Sequence, residues 1–292
     1  MTKRVKVRAA VSVAALIFAG PVILADEALV AKGEYLAHAA GCVTCHTADR
    51  DDARPLAGGR ALKSPFGTFY SPNITPDVAT GIGAWSDDDF VRALWEGLSP
   101  EGEHYFPAFP FPSYTGISRA DALAIKAYLF SLEPAVNKSP EHDLPFYMSS
   151  RMAAGGWKLS YFDAGRFVPA PGASEQWNRG AYLVRHLGHC GECHTPRGRL
   201  GALLEDAELA GNPDFSEDES VPNITPHKAD GIGRWSASDI EYFLDIGMLP
   251  DGDFTGSEMG AVIEDSTSRM TREDRLAIAT YLKSLPPLAD DN

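Results

Sequence analysis

Cys42-Val43-Thr44-Cys45-His46-Thr47 and Cys190-Gly191-Glu192-Cys193-His194-Thr195 decide how this chain is read. Together they hold all four cysteines of its 292 residues. Each is a Cys-x-x-Cys-His run, the spacing of covalent c-type haem attachment. Two thiols one helical turn apart add to the two vinyl groups of a haem. The histidine that follows then lies beneath the ring and ligates the iron. On this reading Cys42, Cys45, Cys190 and Cys193 attach two haem c groups, and His46 and His194 are the proximal iron ligands. Two other chemistries compete. A zinc site of four thiolates would have to draw both pairs together. Local disulfides or thioredoxin-like redox pairs need only the cysteines. Neither uses the two histidines, and no βαβ pattern surrounds either pair.

Working outward, the motifs sit in a duplicated plan. Pro72-Asn73-Ile74-Thr75-Pro76 recurs as Pro222-Asn223-Ile224-Thr225-Pro226, and Gly81-Ile82-Gly83-Ala84-Trp85-Ser86 as Gly231-Ile232-Gly233-Arg234-Trp235-Ser236, both at an offset of 150. Upstream, Gly33-Glu34-Tyr35-Leu36 matches Gly180-Ala181-Tyr182-Leu183. So long a period is a tandem domain rather than a solenoid repeat. The expected organisation is a signal peptide over 1–25, a first domain over 26–140, a connector over 141–173 and a second domain over 174–292.

Within each half the pattern is helical. Ser86-x-x-Asp89 and Ser236-x-x-Asp239 are helix starts of the Ser-x-x-acid type, with ends expected at Gly97 and Gly247. A second pair starts at Ser118 and Thr271. Ile125, Tyr128, Leu129 and Leu132 fall on one helical face, as do Ile278, Tyr281, Leu282 and Leu285. Pro134 and Pro286 stop both. Further helices over Ala28–Ala40 and Glu175–Leu187 lead into the cysteine motifs. No alternating strand is expected, so the fold class is all-α, with a haem supplying the core that short helices lack.

A haem iron has a sixth position, filled in electron-transfer cytochromes by Met or His. The repeat locates the candidates. Met259, in the Gly252–Gly260 segment read as a polar loop, lies opposite Phe109 at the same offset of 150. Met259 is therefore the expected distal ligand of haem two, while Met248 and Met270 read as core or helix residues. Phe109 cannot bind iron. Three arrangements stay open for haem one: His104 as the ligand, Met148 or Met152 recruited from the connector, or an open iron covered by Phe109.

The remaining features bound the function. Lys and Arg total 26 against 40 Asp and Glu, for a net charge of −14, which excludes nucleic acid as the main partner. With 44% hydrophobic and 23% charged residues the chain is a folded globular protein. Lys3, Arg4, Lys6 and Arg8 precede an uncharged run from Ala9 to Ala25, the layout of a secretory signal peptide cleaved near Asp26, with a retained anchor as the alternative. Loss of those four basic residues takes the net charge from −14 to −18. Glu205–Glu219, with seven acids, reads as a solvated loop. Asn73, Asn223, Trp85 and Trp235 read equally as haem-lining or as fold residues.

These motifs, with Arg179-Gly180-Ala181-Tyr182-Leu183 and Gly188-His189-Cys190 through Thr195-Pro196-Arg197-Gly198, resemble the diheme c-type cytochromes related to the cytochrome subunits of periplasmic alcohol, aldehyde and sugar-acid dehydrogenases. The resemblance covers essentially the whole mature chain. It implies two class I cytochrome c domains, each with one haem. That family's Tyr-Pro-Ala-Met-Pro motif, which supplies the distal Met of the first haem, here reads Phe106-Pro107-Ala108-Phe109-Pro110, so the ligand does not carry over. Its Gly-x-x-Met pattern is met by Gly256-Ser257-Glu258-Met259. Many relatives add a third haem domain and a membrane-binding helix. This chain, ending after Leu285-Pro286-Pro287, is expected to have neither.

The expected function is a periplasmic electron carrier between a dehydrogenase or other donor and a respiratory acceptor, an oxidase or a small cytochrome, with peripheral association at the inner membrane. The contrasting class is a diheme enzyme, peroxidase-like or thiosulfate dehydrogenase-like, with an open iron at haem one. A sensor role is a third reading.

Overall fold

Serine caps and a glycine crossing set the frame of each half. The computed structural model describes residues 21–146, 148–215 and 220–290. The first half contains α1 (Pro21–Ala39), α2 (Cys42–His46), α3 (Asp87–Glu96), α4 (Phe111–Tyr114) and α5 (Arg119–Ser131). A connector helix, α6 (Arg151–Tyr161), follows. The second half contains α7 (Glu175–Tyr182), α8 (Gly191–His194), α9 (Ala237–Ile246), α10 (Ser257–Asp265) and α11 (Arg272–Ser284). The expected signal segment lies largely outside the described residues. Helix α1 begins at Pro21, upstream of the expected mature start at Asp26.

The capping signals read from sequence are formed. Ser86 Oγ accepts from the Asp89 N–H at 3.1 Å while Asp89 Oδ2 accepts from the Ser86 N–H at 3.1 Å. Ser236 and Asp239 repeat this at 3.1 and 2.7 Å. Two backbone donors that the helix itself cannot satisfy are thereby paired at each start. Gly97 and Gly247 end these helices in left-handed conformation, at φ 58° and 76°. Ser118 and Thr271 cap α5 and α11.

The duplicated Gly-x-Tyr-Leu motif is the crossing point of each half. Helix α1 packs on α5 and α7 on α11. A Cβ on Gly33 would lie 1.9 Å from Ala124 O, and one on Gly180 would lie 2.0 Å from Ala277 O. Only glycine lets the helices approach this closely. Leu36 and Leu183 bury beside the crossing. The repeat offset is 147 at Gly33/Gly180 and 148 at Cys42/Cys190. A single π turn, Leu183–Leu187, absorbs the extra residue.

The tyrosine of that motif reaches the other half. Tyr35 Oη donates to Asp274 Oδ2 at 2.5 Å, and Tyr182 Oη donates to Asp121 Oδ2 at 2.7 Å. Each aspartate is also held by a cation of its own half, Asp121 by Lys32 at 2.7 Å and Asp274 by Arg179 at 2.6 Å. His38 Nδ1 contacts Asp265 O at 2.6 Å, and its equivalent His186 contacts Ser113 O at 3.0 Å. Equivalent residues thus swap partners across the interface, as an approximate two-fold relation requires.

Asn73 and Asn223 prove to be fold residues. Asn73 Nδ2 donates to Ala135 O at 2.6 Å and Asn223 Nδ2 donates to Leu288 O at 2.8 Å, tying the Asn-Ile-Thr turn to the segment after the last helix of each half. Trp85 and Trp235 pack, half-buried, against the core.

Four elements differ from the sequence reading. A short antiparallel hairpin, β1 (Ala61–Ser64) and β2 (Gly67–Tyr70), stands where no strand is expected. Its four-residue strands are too short for an alternation to register, and the connector completes them: Thr68 pairs with Asp143, and the Tyr70 N–H donates to His142 Nδ1 at 3.1 Å. The connector itself holds α6, which spans both halves. The Arg151 guanidinium covers the Phe106 ring at 4.8 Å, and Trp157 Nε1 donates to Leu200 O at 2.9 Å. Met259 lies in the first turn of α10, not in a loop. Within the acidic run, residues 216–219 lie outside the described residues, but Leu209, Ala210 and Asn212 are buried, so the run is not simply a solvated loop.

Candidate functional site

Each cysteine motif is a short helix with its histidine ring oriented by a carbonyl. His46 Nδ1 contacts Pro72 O at 2.8 Å and His194 Nδ1 contacts Pro222 O at 2.7 Å. A carbonyl only accepts, so Nδ1 carries the proton and Nε2 keeps its lone pair for a metal. Those prolines open the duplicated Pro-Asn-Ile-Thr-Pro turn, and Asn73 and Asn223 hold it by accepting from the N–H groups of Thr75 and Thr225 at 2.9 and 2.8 Å. Burial lowers the pKa of both histidines, which favours the neutral imidazole that binds iron.

None of the four cysteines is paired in a disulfide. Burial pushes the Cys42 and Cys193 thiols up to about 12 and Cys190 to about 11, and Cys45 is raised as well. Such sites disfavour thiolate ligands and suit neutral thioethers. Among the described residues no three His, Cys, Asp or Glu side chains gather as a metal cluster, so the zinc alternative finds no site there. Paired thiols beside an oriented Nε2, in both halves, fit covalent haem.

The distal positions differ. Met259 and Phe109 are both half-buried against the core. The Phe109 ring sits edge-on to Tyr105 at 5.7 Å and tilted against Tyr114 at 5.8 Å. His104 bridges Leu98 just as Phe254 bridges Met248 in the second half. Phe254 is 61% exposed there, whereas the His104 ring lies under α6, where a Cβ on Gly155 would be 2.7 Å from it. The buried His104 Nδ1 has no hydrogen-bond partner. Met152 is 85% exposed, and Met148 is half-buried in the turn before α6.

The two sites adjoin. Helix α10, with Met259, packs on α2 of the first half. Beside it, Arg60 pairs with Glu258 at 3.0 Å, and both charges bear on the Cys45 thiol. In return Ser113, at the distal end of the first half, donates to Glu192 at 2.8 Å, inside the second motif. Cys193 and Cys45 are near enough for one charge to bear on the other. Sequence reasoning passed over Tyr114, Glu192, Arg60 and His189, which line this junction. Only His189 left a signal there: it aligns with Gly41 when the two motifs are superposed.

Two oriented, covalently binding haem sites on duplicated helical domains define an electron-transfer haem protein of the c type, carrying two haem c groups. The Cytochrome c family matches residues 30–133. Over 275 residues the chain is 44% identical to a protein named "Diheme cytochrome c-type" from Cereibacter sphaeroides, covering 93% of this chain and 89% of that one. It is 40% identical over 273 residues to the cytochrome c subunit of a quinone alcohol dehydrogenase from Gluconacetobacter polyoxogenes (90% and 57% covered). It is also 40% identical over 263 residues to the fructose dehydrogenase cytochrome subunit of Gluconobacter japonicus (89% and 53% covered). The chain spans little more than half the length of those two subunits. It belongs to the diheme c-type cytochromes and is related to the cytochrome c subunits of dehydrogenases.

Proposed function

We propose that the protein is a periplasmic electron carrier, taking electrons from a dehydrogenase and passing them to a respiratory acceptor, an oxidase or a small cytochrome. The reciprocal packing of each distal segment on the other half's motif carries this reading, because it sets the two haem sites side by side. When bound, each haem supplies one reversible electron. The residues of the chain do the rest: His46 and His194 would hold the irons, Met259 would ligate haem two, and the shared interface keeps the sites adjacent. The boundaries 26–140 and 174–292 delimit the two carrying domains. Export rests on the basic-then-apolar start of the sequence; among the described residues no helix is long and apolar enough to cross a membrane. The relatives' names favour a dehydrogenase as donor, and a net charge of −14 favours basic faces on the partners.

Phe109 aligns with Met259 at the offset of 150, so haem one would be held by His46 without a thioether ligand from this position. Thioether ligation raises the potential of haem two, and electrons then run from haem one to haem two. Carbon monoxide added to the reduced protein tests this: one equivalent should bind. A second reading, His46/His104 ligation, is favoured by the partnerless His104 Nδ1. It requires that no carbon monoxide bind until His104→Ala opens the site. A redox titration with haem one at the higher potential would defeat the direction of flow. Rapid turnover of peroxide or thiosulfate at the open iron would shift the reading to a diheme enzyme.

A further inference from the structure

His189 stands where the fold calls for glycine. Its φ is 39°, in the left-handed region, and its equivalent, Gly41, sits at φ 67°. A side chain on such a backbone is strained, because Cβ crowds the following carbonyl oxygen. No turn geometry requires that strain, since glycine serves the same turn in the first half. The ring shows what is gained. His189 Nε2 donates to Ala40 O at 3.3 Å, across the interface. Its edge meets the Tyr114 ring at 5.3 Å and 82°. Tyr114 Oη donates to the same carbonyl at 2.6 Å, using its second lone pair. Gly41 faces the ring: a Cβ there would meet Nε2 at 3.6 Å, an ordinary van der Waals contact. Because Gly41 has no side chain, this contact has no counterpart on the other side of the two-fold.

Its place in the chain gives the contact meaning. His189 is bonded to Cys190, and Ala40 is two residues before Cys42. A continuous path of covalent bonds and a single hydrogen bond therefore runs from one attachment cysteine to the other. Electrons tunnel more readily along bonded and hydrogen-bonded atoms than across a gap.

We propose that His189 couples the two haem sites electronically, as a positioning residue for transfer between them. It rests on haem attachment at both motifs and deepens the carrier reading. One electron moves: the haem that gives it goes from ferrous to ferric, the other from ferric to ferrous. No bond forms or breaks and no proton moves. The electron enters from the reduced donor protein.

The test uses the two-haem protein with His189→Gly and His189→Asn, both compatible with a left-handed backbone. Pulse reduction followed by optical detection reads electron equilibration between the haems. In both variants the rate should fall by about tenfold or more, while both haem potentials stay at wild-type values. A rate within twofold of wild type in either variant overturns the proposal. So does a slower rate accompanied by shifted potentials, which would mark a packing role. A haem count below two per wild-type chain would instead defeat the attachment reading.

Discussion

The two halves are built alike and equipped differently. Both have a serine capping box, a glycine crossing, a proline carbonyl orienting the histidine, and an asparagine tying that turn to the segment after the last helix. They part at Phe109 against Met259, at Gly41 against His189, and at the hairpin that the connector completes in the first half alone. The shared residues are those whose replacement breaks a backbone contact or strands a buried polar group. The divergent ones, Gly41, Phe109, His189 and Met259, are half-buried beside the haem sites and lie outside that frame. A duplicated cytochrome domain can thus change how a haem is tuned without changing how it is held.

The strongest way to break the likeness is to empty one half. Cys42→Ala with Cys45→Ala, or Cys190→Ala with Cys193→Ala, should each leave one haem per chain, read by the haemochrome spectrum. The carbon monoxide site should disappear with the first pair of changes and survive the second. The next test probes the frame. Gly33→Ala and Gly180→Ala each force a Cβ to about 2 Å from a helix carbonyl. Both should cost roughly 3 kcal/mol or more, by equal amounts, in thermal or denaturant unfolding of the two-haem protein. Unequal costs would show that the halves do not share one crossing.

Swapping the distal residues sharpens the contrast further. Phe109→Met should supply haem one with a thioether, abolish carbon monoxide binding and raise its potential toward that of haem two. Met259→Ala should open haem two, so that two equivalents of carbon monoxide bind and its potential falls. Each change moves one haem toward the behaviour of the other. If Phe109→Met leaves carbon monoxide binding intact, the residue does not stand over the iron.

Much of this was legible in the sequence because it depends on local chemistry. Ser86/Asp89, Ser236/Asp239, Gly97 and Gly247 act within four residues of themselves, and the cysteine spacing is a property of one helical turn. Repetition added what one copy could not, by pairing Gly33 with Gly180 and Asn73 with Asn223. What stayed hidden depends on the chain meeting itself. The hairpin gains its third partner from Asp143, and α6 finds its place through Arg151 and Trp157. His38 and His186 gain a role only where the two-fold sets them opposite Asp265 and Ser113. His104 remained ambiguous for the same reason: the helix over it is placed by tertiary contacts, not by its neighbours in sequence.

The smallest effect lies in the paired aspartates at the interface. Burial opposes the charge on both, but for Asp274 the hydrogen bonds from Arg179 and Tyr35 outweigh it, and for Asp121 those from Lys32 and Tyr182 do. Both carboxyls therefore titrate below their ordinary value. A depressed folded pKa adds stability above the unfolded pKa, near ~4, and that stability is lost as pH falls through the folded value. The interface should accordingly weaken in acid, and Asp121→Asn or Asp274→Asn should flatten the dependence of melting temperature on pH. Burial raises the pKa of Tyr35 and Tyr182, so both remain donors throughout. Tyr35→Phe and Tyr182→Phe should each cost about 1–2 kcal/mol at neutral pH. Arg179 grips Asp274 through two hydrogen bonds, at 2.8 and 2.6 Å, where Lys32 offers Asp121 a single contact at 2.7 Å. A forked guanidinium holds a carboxylate more strongly than a point charge. Asp121, with the weaker cation, leans more on its tyrosine, so Tyr182→Phe should flatten the dependence of melting temperature on pH more than Tyr35→Phe does. Equal flattening would mean that the cations, unlike the distal residues, leave the two-fold balanced.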